Sequence, residues 1–111
     1  KMADGSKVSI RINSKAVPTL PSVMDLIEMG CIPGAAFRNQ EFTGAHCEFE
    51  SPVDYNHKML VLDAQTSGGL LMAVKPTDVD KVLESLQMEG YPYSAVVGEV
   101  MKRGGFSVKI H

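Results

Sequence analysis

Two apolar runs and the seven residues between them constrain this chain most. Met59 to Leu62 is apolar, Leu70 to Val74 is apolar without a break, and Asp63, Ala64, Gln65, Thr66, Ser67, Gly68 and Gly69 separate them. The second run lies between Gly69 and Pro76 and reads as a buried strand. A connector that only had to turn would need one or two turn formers. This one gathers a carboxylate, an amide and two hydroxyls, and its paired glycines let the backbone approach another group closely.

The flanking pattern supplies the other elements. Val8 to Ile12 alternates apolar and polar, the period of a half-buried strand. Ser22 with Asp25 three residues on resembles a capping box, Val23, Leu26 and Ile27 make a helical stripe, and Gly30 ends it. From Ile32 to Pro52 no period holds, and only Cys47 to Phe49 looks extended; so long an irregular segment in a small domain is more often functional or interface-forming than idle. Pro52 to Leu62 leans to helix. Thr77 is expected to cap a helix with Asp78 and Asp80 in its first turn, a core stripe of Val79, Val82, Leu83 and Leu86, and a stop at Gly90. Ala95 to Met101 then reads as a strand, joined through a hairpin-like turn at Lys102 to Gly105 to another over Phe106 to Ile110. The predicted class is α+β, a layered α/β sandwich with partial ferredoxin-like topology.

Composition narrows the function. A length of 111 residues with 44% hydrophobic content fits one folded domain. A net charge of −2, from 11 basic and 13 acidic residues interspersed, leaves no footprint for nucleic acid. No apolar run approaches the roughly 20 residues of a membrane helix. No signal-peptide pattern opens the chain, so a cytoplasmic setting is the expectation. Cys31 and Cys47 match no zinc spacing and read as reduced, packed thiols, with a disulfide or a reactive thiol as alternatives. A start at Lys1 without an initiator methionine reads as mid-protein, so the expectation is a fragment of something longer.

Two segments carry candidate chemistry. The Asp63 to Gly69 loop could bind an anion through backbone N–H groups, assisted by the Thr66 and Ser67 hydroxyls. It is not a P-loop, because no lysine follows the glycines and a strand is expected next. It is not a nucleophile elbow either, because Ser67 lacks the flanking pattern. The alternative is a tight helix-to-strand connection in which Asp63 and Thr66 satisfy local backbone groups. In the Pro33 to Asn39 segment, Arg38 offers a bidentate cation beside Asn39, although a single loop arginine is usually solvated, and Phe37 could anchor the loop in the core. His46, His57 and His111 are scattered, and His46 and Cys47 in an extended piece would point to opposite sides. The seven methionines read as core filler. No acid–base dyad or nucleophile–base pair is visible.

Asp63 to Val74 resembles the C-terminal-domain signature of the selenophosphate synthetase (selenide, water dikinase) family, whose usual wording is Asp-Pro-Gln-Thr-Ser-Gly-Gly-Leu-Leu followed by an apolar strand. Ile12 to Pro18 is similar to the family's segment entering its first helix. Met29 to Asn39 is similar to its Pro-Gly-Gly-Ala-Tyr-Arg-Asn loop. The likeness runs over essentially the whole chain, with Ala64, Ala35 and Phe37 departing from the usual proline, glycine and tyrosine. Losing the proline frees φ at position 64 and relaxes the extended bias on Asp63.

The resemblance implies residues 1–111 as the C-terminal domain of a longer two-domain enzyme of the aminoimidazole-ribonucleotide-synthetase-like superfamily. That enzyme makes selenophosphate, AMP and phosphate from selenide, ATP and water, using Mg2+, and the resemblance implies a full-length homodimer. The nucleophile and most magnesium-binding aspartates then belong to the N-terminal domain, leaving no catalytic or metal-binding residue and no tightly bound cofactor in this fragment. Its partner is its own N-terminal domain, and its ligand-cleft candidates are Arg38, Asn39, Asp63, Gln65, Thr66, Ser67, Gly68 and Gly69. Another superfamily member, such as aminoimidazole ribonucleotide synthetase, and a non-catalytic interaction module docking through residues 32–52 are the alternatives. The wording at Gln65 to Ser67 and Phe37 to Asn39 favours selenium over purine chemistry.

Overall fold

A computed structural model describes residues 1–111. Strand β1 (Val8–Ile12) forms where the alternation places it. Around it gather β2 (Cys47–Phe49), β3 (Gly98–Lys102) and β4 (Val108–Ile110) in a mixed sheet of order β2-β4-β1-β3. β1 runs antiparallel to β3 and parallel to β4, and β2 is parallel to β4. Register puts Ile10 opposite Val100 and Val108, and Ile110 opposite Ile12 and Phe49, so these apolar residues share one face. Arg11, Glu48, Glu99 and Lys109 share the other. There Lys109 Nζ lies 3.3 Å from Glu48 Oε1 and 3.1 Å from Glu50 Oε1.

Five helices complete the chain: α1 (Met2–Gly5), α2 (Val23–Glu28), α3 (Gly34–Thr43), α4 (Tyr55–Leu62) and α5 (Val79–Met88). The core is a cluster of Ile27, Ala36, Met59, Leu60 and Leu62, against which Ile32 and Phe49 pack. It joins α2, α3 and α4, and Phe49 links it to the sheet. α4 contributes three of the five because it is apolar on most sides over Met59 to Leu62. The Asp54 carboxylate starts this helix, accepting the His57 N–H at 2.9 Å.

Both glycine stops form. At Gly30 (φ 84°) and Gly90 (φ 92°) the backbone turns left-handed. At each, two N–H groups reach back to terminal carbonyls, Cys31 to Leu26 and Gly30 to Ile27, Tyr91 to Leu86 and Gly90 to Gln87. The starts differ from expectation. Ser22 sits at φ 65° and makes no side-chain cap, so the capping box is absent. Thr77 lies inside a short 3-10 turn (Pro76–Asp78), and Asp78 takes the cap position of α5 without a side-chain bond.

Several larger expectations are corrected. The segment read as irregular contains the ten-residue α3. Its apolar residues form no single stripe because it buries only Ala36, so periodicity could not reveal it. Phe37, expected as an anchor, is exposed. Leu70 to Val74 is not a buried strand: it pairs with no strand, and Leu70 is 83% exposed. An unbroken apolar run signals burial only where something covers it, and no element of this chain does. The α5 stripe is likewise only half-buried.

The last two strands are not a hairpin, because β1 lies between them. The chain crosses the N-terminal end of β1, and Ser9, fully buried, organises that crossing. Its Oγ donates to Phe106 O at 2.6 Å and accepts from Gly104 N at 2.9 Å. Arg103 Nη1 adds bonds to Val8 O (3.1 Å) and Asp4 Oδ1 (2.9 Å).

Candidate functional site

The Asp63 to Gly69 segment leaves the C-terminus of α4 as a succession of tight turns. Asp63 is extended (φ −60°, ψ 146°), the conformation a following proline would impose, although Ala64 stands there. Gln65 N–H then donates to Asp63 O at 3.0 Å, Thr66 N–H to Ala64 O at 2.6 Å, and Gly68 N–H to Gln65 O at 3.0 Å. The Thr66 hydroxyl also donates to Ala64 O, at 3.0 Å. It is therefore spent locally, as the bland alternative for Thr66 requires.

Other groups of the loop stay available. Residues 64–69 are all exposed, while Asp63 is half-buried. The Ser67 and Gly69 N–H groups donate to no backbone carbonyl. A Cβ at Gly68 would sit 2.9 Å from Gln65 Cβ and 3.1 Å from Gln65 O, so the turn closes only because position 68 has no side chain. Gly69 has no such restriction, with nothing within 4 Å of its would-be Cβ. An exposed turn with unengaged N–H groups beside glycine can receive an anion.

The other signature segment is helical. Residues 34–39 form the first part of α3, following Pro33 at the cap position. Arg38 is exposed, and its Nη1 lies 3.5 Å from where a Cβ on Gly34 would be. Asn39 is half-buried, and its Nδ2 donates to Leu62 O at 2.9 Å. The two segments therefore meet through Asn39 and the last residue of α4. Pro33 and Asp63 also border one mainly apolar cavity of about 180 Å³, with Ile27, Ile32 and Met59.

Other side chains fall elsewhere. His46 closes a 3-10 turn (Gly44–His46) rather than lying in a strand, and it borders the same cavity as Cys47, correcting the expected divergence. Both cysteines are unpaired; Cys31 is exposed, and burial pushes the half-buried Cys47 thiol up. Among His, Cys, Asp and Glu side chains, no three gather as a metal-holding group. His57 Nδ1 lies 2.8 Å from Asp54 Oδ2, and the His57 backbone N–H and ring hold the Asp54 carboxyl below its ordinary value. Sequence reasoning found every residue of the exposed turn. It missed the tether to Leu62, because a bond spanning 23 residues between helices leaves no local pattern.

Fold and turn together define an α+β domain that presents an exposed, glycine-containing polar loop at the end of a core helix. Residues 1–111 match the family described as "AIR synthase related protein, C-terminal domain", and the chain belongs to it. Among its relatives, the selenide, water dikinase of Porphyromonas gingivalis is 45% identical over 98 residues, 87% of this chain and 28% of that protein. That of Pelobacter propionicus is 37% identical over 102 residues, 92% of this chain and 29% of its own length. That of Pseudomonas aeruginosa is 38% identical over 110 residues, 99% and 31%. The chain thus spans between 28% and 31% of the length of these relatives. No helix of the chain is long and apolar enough to cross a membrane.

Proposed function

We propose that this chain is the C-terminal domain of a selenide, water dikinase, a phosphotransferase that makes selenophosphate, AMP and phosphate from selenide, ATP and water. In this reading the domain supplies one wall of a cleft shared with an N-terminal domain and performs no chemistry alone. The observation that carries it is the Asp63 to Gly69 turn, exposed and with the Ser67 and Gly69 N–H groups unengaged, in a chain whose relatives bear that name. Those N–H groups and the Ser67 hydroxyl donate to phosphate oxygens, Arg38 adds a cation, and the wall keeps water from a labile intermediate.

The donor set for magnesium does not fit this chain. Asp63 is the only carboxylate of the turn, and no other acidic, His or Cys pair joins it. In this reading the metal and most nucleotide contacts belong to the N-terminal domain. The exposed apolar Leu70, Leu71 and Met72 support a contact between the two, since such a stretch marks an interaction surface.

The test is made in the parent enzyme. Changing Thr66 and Ser67 together to alanine should lower turnover roughly five- to 150-fold, as losing hydrogen bonds worth about 1–3 kcal/mol in the transition state requires. Because the Thr66 hydroxyl already serves Ala64, Ser67→Ala alone should carry most of the loss. Full turnover in the double variant reduces the signature to a structural turn. ATP cleavage by the 111-residue chain itself would overturn the division of roles.

A further inference from the structure

We propose that Asn39 is a positioning residue, whose Nδ2–H bond to Leu62 O at 2.9 Å sets where the Asp63 to Gly69 turn leaves the core. The proposal rests on the reading that this turn faces phosphate in the parent enzyme.

Leu62 ends α4, so its carbonyl is one of the four that a helix leaves without an intrahelical donor. Its side chain is 4% exposed and sits in the core cluster. Asn39 meets that carbonyl from α3, which the same cluster anchors through Ala36, fully buried and three residues earlier. Residues three apart share a helix face, so Asn39 stands on the face turned toward α4. Arg38, next along the helix, falls outside that face and is exposed. The two polar residues ending the motif thus divide: Arg38 is free for a ligand, while the Asn39 amide N–H is committed to the protein.

This bond holds the residue from which the turn departs, and no side chain from outside bonds the turn itself. The hydrogen bonds of residues 63–69 run within the segment, apart from Asp63 N–H to Leu60 O at 3.3 Å, which continues the helix end. Internal bonds fix the shape of a turn and leave its direction free. The direction is set at Leu62, where helical backbone gives way to the extended Asp63.

Three variants of the 111-residue chain test this by amide NMR shifts and hydrogen exchange over residues 62–69, with thermal melting as the fold control. Asn39→Ala removes the donor, and Asn39→Asp sets a carboxylate against the carbonyl. Asn39→His can place a ring N–H close to where the amide donates. The expected result is a folded chain in which Ala and Asp shift the turn's amides and speed their exchange, while His retains the parent pattern. Parent-like amides in a folded Asn39→Ala chain would overturn the proposal, as would an equal disturbance by all three. If Asn39→Ala unfolds the chain, Asn39→His decides: a folded chain with the parent pattern upholds the donor role, and anything else refutes it.

In the parent enzyme, Asn39→Ala should lower kcat roughly three- to tenfold, the worth of one hydrogen bond, with the melting temperature of the His variant as reference. A displaced turn with unchanged kcat would leave the positioning role standing and remove the phosphate reading instead.

Discussion

Ser9→Ala probes the least expected feature of the topology, the crossing of the last strand connection over the end of β1. The Ser9 hydroxyl is fully buried and serves two backbone groups at once, Phe106 O at 2.6 Å and Gly104 N–H at 2.9 Å. Alanine fits the space, so the change reports hydrogen bonding with little contribution from packing. Gly104 is exposed, and water can take over its N–H at a net loss of about 0.5–1 kcal/mol. Phe106 is only half-exposed, and stranding its carbonyl costs about 1–3 kcal/mol. The sum is about 1.5–4 kcal/mol, or a fall in melting temperature of roughly 6–16 °C for a domain of this size. Urea unfolding followed by circular dichroism should show a lower midpoint with an unchanged slope. Ser14→Ala, which removes a single bond to His111 O at 2.9 Å, should cost about half as much. A Ser9→Ala chain within about 0.5 kcal/mol of the parent would refute the claim that this hydroxyl holds the crossing.

Gly68→Ala should disturb the amide signals of residues 64–69, because the new Cβ meets Gln65 within 2.9 Å, whereas Gly69→Ala should leave them in place. Thiol titration under native conditions should find Cys31 reacting first and Cys47 lagging, since burial keeps the Cys47 thiol protonated; equal rates would contradict the burial argument. Asp4, Glu50 and Asp54 are held below the ordinary carboxylate range, chiefly by Ser107, Lys109 and the His57 backbone N–H respectively. Groups shifted this way stabilise the fold above their unfolded-state values and lose that contribution as pH falls through the folded ones. The melting temperature should therefore hold down to about pH 5 and fall below about pH 4, and a flat profile to about pH 3 would refute the pairing. Lys109 is shifted up, first by Glu50 and then by Glu48, so its contribution is present below its ordinary value and is lost as pH rises through the raised one. Lys109→Met should accordingly flatten the acid limb, by releasing Glu50.

Sequence alone determined what is written in neighbouring residues. The β1 alternation, the left-handed stops at Gly30 and Gly90 and the polar content of the Asp63 to Gly69 turn each depend on a few consecutive positions, and each is present as read. The family likeness belongs to the same level, since it rests on ordered short motifs. Other features were settled by tertiary partners. α3 forms although it buries only Ala36, because packing against α4 replaces the stripe that periodicity looks for. β4 lies beside β1 and not β3 because Ser9 and Arg103 bond the connecting segment across the strand end. Leu70 to Val74 has strand composition yet stays unpaired and exposed, since burial belongs to whatever covers a segment. The bond from the Asn39 amide to Leu62 likewise depends on the approach of α4. Caps, turns and alternation act over a few residues of chain, whereas pairing, covering and tethering depend on groups brought together from distant positions. That is why the turn itself was legible in the sequence and its placement was not.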